Sequence, residues 1–175
     1  ETVRDAGFPD FTPADTVRQR LNELDRLAAT GKIPKVLLDR WSEALENVSL
    51  FRFTPTVVHS NISPVNLLEL DGAISGVLGW SGLKIGDPAE DMGWLCTASW
   101  RFGGAKPVGG FGDYADLLAG YEAAGGTPIP LERVLYWQML GSLKWGVMCE
   151  GMYALFANGT DPSVERAMIG RRTSE

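Results

Sequence analysis

The 175-residue chain has a single histidine, His59, and only two cysteines, Cys96 and Cys149. A closed zinc site normally takes four Cys or His ligands, so these three residues cannot build one. Two distant cysteines in apolar surroundings make no disulfide framework; they read as buried free thiols in a reducing, cytoplasmic setting. A Ser-His-Asp site would have to use His59, the one base of that kind. Basic residues are short as well: 16 Lys and Arg stand against 22 Asp and Glu, for a net charge of -6. That balance argues against a nucleic-acid partner, which wants a basic patch or stripe; it would suit a cationic small molecule, but mostly it favours solubility. No apolar run approaches the roughly 18 residues of a membrane-spanning helix. The chain opens on Glu1 rather than Met, with neither a basic n-region nor an apolar h-region behind it. It reads as an excised or processed piece of something longer.

What is present is ordinary globular material, 45% hydrophobic and 22% charged, in a length suited to one domain over 1–175. After a loop through the first ten residues, Thr12 caps a helix with Pro13 at its first position. Its apolar residues Val17, Leu21, Leu24, Leu27 and Ala28 recur at helical spacing, and Gly31 stops it. Pro34 opens a second helix with Val36, Leu37, Trp41, Ala44, Leu45 and Val48 turned inward. The short connection makes the two an antiparallel pair over 12–50. The period then changes. Thr56-Val57-Val58 is a short strand, and residues 67–70 and 73–78 flank Asp71-Gly72, a strong hairpin signal. After a loop over 81–87, Asp87 caps a helix beginning at Pro88, with Met92, Leu95, Cys96 and Ser99 inward. Residues 103–112 hold five glycines in ten positions, without phosphate-cradle spacing, and read as a flexible connector. Helices follow over 113–124 and from about Pro130 to Ala157, ended by Asn158-Gly159, and a last short one starts at Asp161-Pro162. The long one, apolar on most sides, reads as the buried centre of a bundle over 87–172. The expected class is α+β and mostly α.

The informative stretch is 59–66, His-Ser-Asn-Ile-Ser-Pro-Val-Asn. The kinase catalytic loop is H-R-D-x-x-x-x-N, in which the Asp accepts the substrate hydroxyl proton and the Asn holds magnesium. His59, position 61 and Asn66 have that spacing. A hairpin follows, as needed to bring a second metal ligand beside the first, and its second strand ends at Gly79-Trp80.

Residues 59–95 resemble the aminoglycoside phosphotransferase family, also described as choline-kinase-like. The family pattern runs H-G-D-x-H-P-G-N-L-L, then a hairpin ending in I-D-W, then G-D-P-x-x-D-L-A. Here stand His59, Pro64, Asn66, Leu67 and Leu68, then Gly76-Val77-Leu78-Gly79-Trp80, then Gly86-Asp87-Pro88-Ala89-Glu90-Asp91-Met92. Three separated blocks agree in order, and the flanking helices match the C-terminal lobe of a protein-kinase-like fold. The resemblance implies ATP and magnesium as cofactors and a small-molecule hydroxyl as phosphoryl acceptor. It places Asn61 and His59 at catalytic positions and Asn66 at the metal position, while Asp87 and Asp91 brace the catalytic loop. It also implies an N-terminal sheet lobe that clamps the nucleotide, and the stretch before Thr12 is too short to be that lobe.

The departures carry the functional expectation. Asn61 occupies the place of the catalytic Asp, and Gly79 that of the metal-binding Asp. An amide takes no proton at neutral pH and glycine offers no side-chain oxygen. Ser60, Ser63 and Val65 also replace the family's Gly, His and Gly. The expectation is a phosphotransferase-family protein impaired in catalysis, with no cofactor expected in this chain. The alternative is a pseudokinase that serves as a binding or scaffold module for a small-molecule or protein ligand. His59 also has a purely structural reading, as a core histidine donating to a backbone carbonyl or to Asp87.

Overall fold

The computed structural model describes residues 5–29, 31, 33–47 and 51–172. Helix α1 (Pro13–Ala29) begins as expected. The Asp15 amide donates to Thr12 Oγ1 at 3.2 Å, and the Thr12 amide donates back to the Asp15 carboxylate at 3.2 Å. This reciprocal cap satisfies backbone donors that a helix start leaves free. Its inner face is Thr16, Val17, Arg20 and Leu24, packed on α2 (Lys35–Glu46) through Trp41 and Leu45. Leu21, Ala28, Val36 and Leu37, expected to face inward, are exposed. Leu21 lies at the edge of the α1 stripe, and Val36 falls on the side of α2 opposite Leu45, so helical spacing to a neighbouring apolar residue misassigned them. The Leu27 side chain and Val48 lie outside the described residues.

Two small antiparallel sheets follow. Strand β1 (Thr56–Val58) pairs with β4 (Lys84–Gly86), with Val57 opposite Ile85. The segment before α1 joins this sheet: Phe11 donates to the Ile85 carbonyl at 2.9 Å, and Ile85 donates to that of Pro9 at 2.8 Å. Residues 84–86 and 9–11 are therefore ordered by long-range pairing, where sequence alone predicts loop. Strands β2 (Leu67–Leu70) and β3 (Ala73–Val77) form the expected hairpin, with a bulge at Leu68/Glu69. Asp71 and Gly72 both take positive φ (54° and 79°), the geometry of a two-residue turn that matches strand twist.

Helix α3 (Ala89–Leu95) packs on α5 (Leu131–Ala157), and between them lies the main core of Trp41, Leu45, Met92, Leu95, Val134, Trp137 and Leu140. Gly93 is the point of closest approach: a Cβ there would stand 2.3 Å from Trp137 Cβ and 2.6 Å from the Gln138 amide nitrogen. The buried face of α5 runs from Arg133 to Cys149; in its second half Trp145 and Cys149 join Trp94 and Trp100 in a second cluster, where α6 (Val164–Gly170) packs. The segment 103–112 is a folded knot, not a flexible connector. Lys106 bridges Gly110, Val108 bridges Gly112, and Val108 is buried in the main core. Helix α4 (Tyr114–Ala123) follows this knot, and the Tyr114 hydroxyl donates to Gln138 Oε1 of α5 at 2.6 Å. Cys96 and Cys149 are buried free thiols, and burial pushes the Cys96 pKa up to about 12. Among the described residues no helix is long and apolar enough to cross a membrane.

Candidate functional site

The loop after β1 is held from three sides. From α3, Asp91 accepts the amide of His59 through one carboxylate oxygen and that of Ser60 through the other, each at 2.7 Å. From the hairpin, the Leu78 carbonyl faces His59 Nε2 at 2.8 Å. Within the loop, the Asn61 amide donates to His59 Nδ1 at 3.1 Å. A nitrogen that accepts carries no proton, so the ring proton sits on Nε2 and points to Leu78. His59 is buried, with Trp80 edge-on to its ring, and both its nitrogens are spent on backbone. It matches the structural reading by donating to a backbone carbonyl; Asp87 is engaged elsewhere.

Asp87 is almost fully enclosed. It accepts the Ala89 amide at 2.9 Å, as expected of a helix cap, and also receives Trp137 Nε1 at 2.8 Å and an ion pair from Arg133. It thus ties the start of α3 to α5. Asp91 is one turn along. Burial raises its pKa above the ordinary aspartate value, and the two amide bonds pull the other way.

Asn61, Asn66 and Gly79 come together. Asn66 Nδ2 donates to the Asn61 carbonyl at 2.9 Å, and Trp94 Nε1 donates to Asn61 Oδ1 at 3.3 Å. Gly79 takes left-handed backbone (φ 81°, ψ 35°) at the end of the hairpin. A Cβ added to it would stand 2.8 Å from Asn66 Nδ2 and 3.0 Å from Asn66 Oδ1. The Asn66 amide fills the space into which a side chain at 79 would start. Ser60 holds a positive φ of 66°, uncommon for a residue with a Cβ, and its Oγ is buried with no hydrogen-bond partner among the described residues. Gly82 makes room for it, since a Cβ at 82 would lie 3.0 Å from that of Ser60.

These donors do not fit magnesium. A hard dication prefers anionic oxygen. The site offers the neutral amides of Asn61 and Asn66, nothing from Gly79, and in Asp91 a carboxylate already committed to two amides. Among the described residues no group of three or more His, Cys, Asp or Glu side chains is placed to hold a metal.

Beside the loop opens a cavity of about 440 Å³ between α1, α3 and α5. Ser60 and Trp94, the residues flanking Asn61 in sequence and by hydrogen bond, both line it. Its other walls come from Arg20, Trp41, Lys84, Trp137 and Lys144. Sequence reasoning did not find these. Of these, only Lys84 lies within the 59–95 stretch, and the rest converge from helices far apart in the chain.

A helical pair, a loop braced from the following helix, a hairpin ending at the loop and a helical bundle define the helical lobe of a kinase-like phosphotransferase fold. The chain belongs to the phosphotransferase enzyme family (APH), whose family model matches residues 2–131. Its fold is that of the macrolide phosphotransferases. It superposes on "Macrolide 2'-phosphotransferase type I" with TM-score 0.71 and 24% identity, covering 97% of this chain and 51% of that one. It superposes on the apoenzyme of macrolide 2'-phosphotransferase MphH from Brachybacterium faecium with TM-score 0.65 and 21% identity, covering 95% of this chain and 50% of that one. An uncharacterized protein of Bacillus subtilis (strain 168), YcbJ, is 25% identical over 127 residues, 72% of this chain and 36% of YcbJ. The chain spans about half the length of these structures and less of YcbJ.

Proposed function

We propose that this chain is the acceptor-side lobe of a small-molecule phosphotransferase relative in which phosphoryl transfer is impaired while the acceptor cavity persists. Were it active, the γ-phosphoryl of ATP would pass to a hydroxyl of a small molecule bound beside Asn61. The observation that carries the reading is Gly79. Its position lacks the carboxylate of the family pattern, and the Asn66 amide stands where that side chain would begin. Asn61 adds to it, because its amide oxygen accepts from Trp94 but has no basicity with which to take a proton. His59 has a positioning role in this reading: it fixes the loop to the hairpin rather than meeting substrate. The retained cavity favours a second reading, a pseudokinase that binds a small molecule without turning it over. The cytoplasmic setting drawn from the free thiols belongs to the same proposal.

The test is phosphoryl transfer from ATP by the full-length protein, with magnesium, across a panel of hydroxylated small molecules. No turnover above background is expected, and none from Asn61→Asp or Gly79→Asp singly, because base, metal and phosphate contacts act as a unit. Robust turnover by the unmodified protein would overturn the reading.

A further inference from the structure

The cavity beside Ser60 has a charge pattern that selects among ligands. Its apolar lining comes from Trp41, Trp94, Trp137 and Leu140, each nearly buried, and from the more open Val147 and Met148. Such walls suit a flat apolar body, and a cavity of about 440 Å³ suits a compact one. Four cations and two carboxylates also line it. Both carboxylates are already engaged: Glu23 with Arg20 at 2.7 Å and Glu90 with Lys84 at 2.8 Å. Lys144 is different. Its ammonium lies over the Trp94 ring, 4.5 Å from the centroid, and no carboxylate within salt-bridge distance neutralises it among the described residues. Arg26 adds a second cation, its Nε donating to the Asn22 carbonyl. Arg20 lies over the Trp137 ring and is 7% exposed, with its Nε without a hydrogen-bond partner among the described residues. A chain of net charge -6 thus turns surplus positive charge into this one cavity. The protein packed around Lys144 lowers its pKa, chiefly by desolvation and also through Lys84 and Arg20; Glu90 and Glu23 oppose that. Lys144 is nonetheless solvent-exposed at the rim of the cavity, so its charge is open to an incoming anion.

We propose that the cavity binds a small aromatic-bodied acid, its ring between the tryptophans and its carboxylate on Lys144, and that it disfavours amines. This rests on reading the cavity as the acceptor site. A ring among Trp41, Trp94 and Trp137 gains apolar burial and edge or face contacts. A carboxylate on an ammonium with no salt-bridge partner among the described residues gains a charge-assisted bond at the exposed rim of the cavity. An amine in the same position would meet Lys144 and Arg26 as like charges, with Glu23 and Glu90 already paired.

The test uses three probes with one ring system, 1-naphthaleneacetate, 1-naphthaleneacetamide and 1-naphthylethylamine, titrated calorimetrically into the full-length protein without nucleotide. The acid should bind tightest, and the amine weaker by about tenfold or more. Lys144→Met should remove the preference for acid over amide while leaving amide affinity near its starting value, and Lys144→Arg should keep the preference. An amine that binds as tightly as the acid, a preference that survives Lys144→Met, or no binding by any probe would overturn the proposal. Because no turnover is involved, its failure is separate from that of the functional reading: phosphoryl transfer would end the latter and leave the acid preference standing.

Discussion

Both oxygens of Asp91 are used by the amides of His59 and Ser60, so a single side chain sets the path of the loop that presents Asn61. Asp91→Asn would turn an NH₂ group toward one of those amides. Leaving a buried backbone donor unmet costs about 2 kcal/mol, and for a domain of this size each kcal/mol lowers Tm by roughly 2–4 °C. Calorimetric melting of the variant should therefore show a fall of several degrees. The pH dependence has a defined sign. Because burial raises the Asp91 pKa from 3.8, the folded chain holds the proton at pH values where the unfolded chain has released it. The charge therefore weighs against folding above the folded pKa, and this cost disappears as pH falls toward 3.8. The stability advantage of the natural protein over Asp91→Asn should shrink as pH rises above the ordinary aspartate value of 3.8 in urea titrations. An advantage that grows with pH would mean that the two amide bonds outweigh burial.

Gly79 belongs to the same scale. Aspartate there would carry a Cβ into left-handed backbone and onto the Asn66 amide. Strain of that kind costs about 1–3 kcal/mol, so Gly79→Asp should unfold at lower urea than the natural protein, in addition to remaining inactive. Equal or greater stability would show that Asn66 yields readily and that the site tolerates the carboxylate. These residues were legible in sequence because they lie within one loop and one hairpin, where spacing alone brings them together. What spacing could not tell was their occupancy: that His59 spends both nitrogens on the backbone of its own loop and hairpin, and that Trp94 holds the Asn61 oxygen, depends on how loop, hairpin and helix α3 pack together.

At the scale of elements, the approach of α3 to α5 sets the depth of the core and one wall of the cavity. Gly93 permits it, with Trp137 and the Gln138 backbone in the space a side chain would need. Backbone atoms cannot swing aside, so Gly93→Ala must push the helices apart. Overpacking of this kind costs about 1–3 kcal/mol. Chemical denaturation should show that loss, and a variant as stable as the natural protein would mean that the two helices separate without penalty. The helices were readable from sequence because each has its own periodicity, cap or stop. Strand β4 was not, since Lys84-Ile85-Gly86 has no alternation of its own and becomes a strand only through β1 and the segment before α1. The knot over 103–112 escaped for a related reason: its order comes from Val108 entering a core assembled by distant helices. Exposed Leu21, Val36 and Leu37 show the opposite error, in which apolar character was taken for inward orientation.

For the whole molecule, three ordered motif blocks were enough to indicate the lobe and its family, and the fold agrees with them. The cavity was beyond their reach, because Arg20 on α1 and Lys144 on α5 meet only in the folded chain. The central claim, that the loop and hairpin no longer hold magnesium for transfer, predicts how nucleotide binding responds to the metal. A ligand at 100 times its Kd stabilises the folded state by about 2.7 kcal/mol, so even modest affinity is measurable by melting or calorimetry. The most direct measurement is the Kd of ATP for the full-length protein, titrated once with EDTA and once with millimolar magnesium. The account predicts no tightening by magnesium and no change in that result on Asn66→Ala. Tightening of about tenfold or more that is lost in Asn66→Ala would contradict it, and would mean that the site still binds its metal through Asn66.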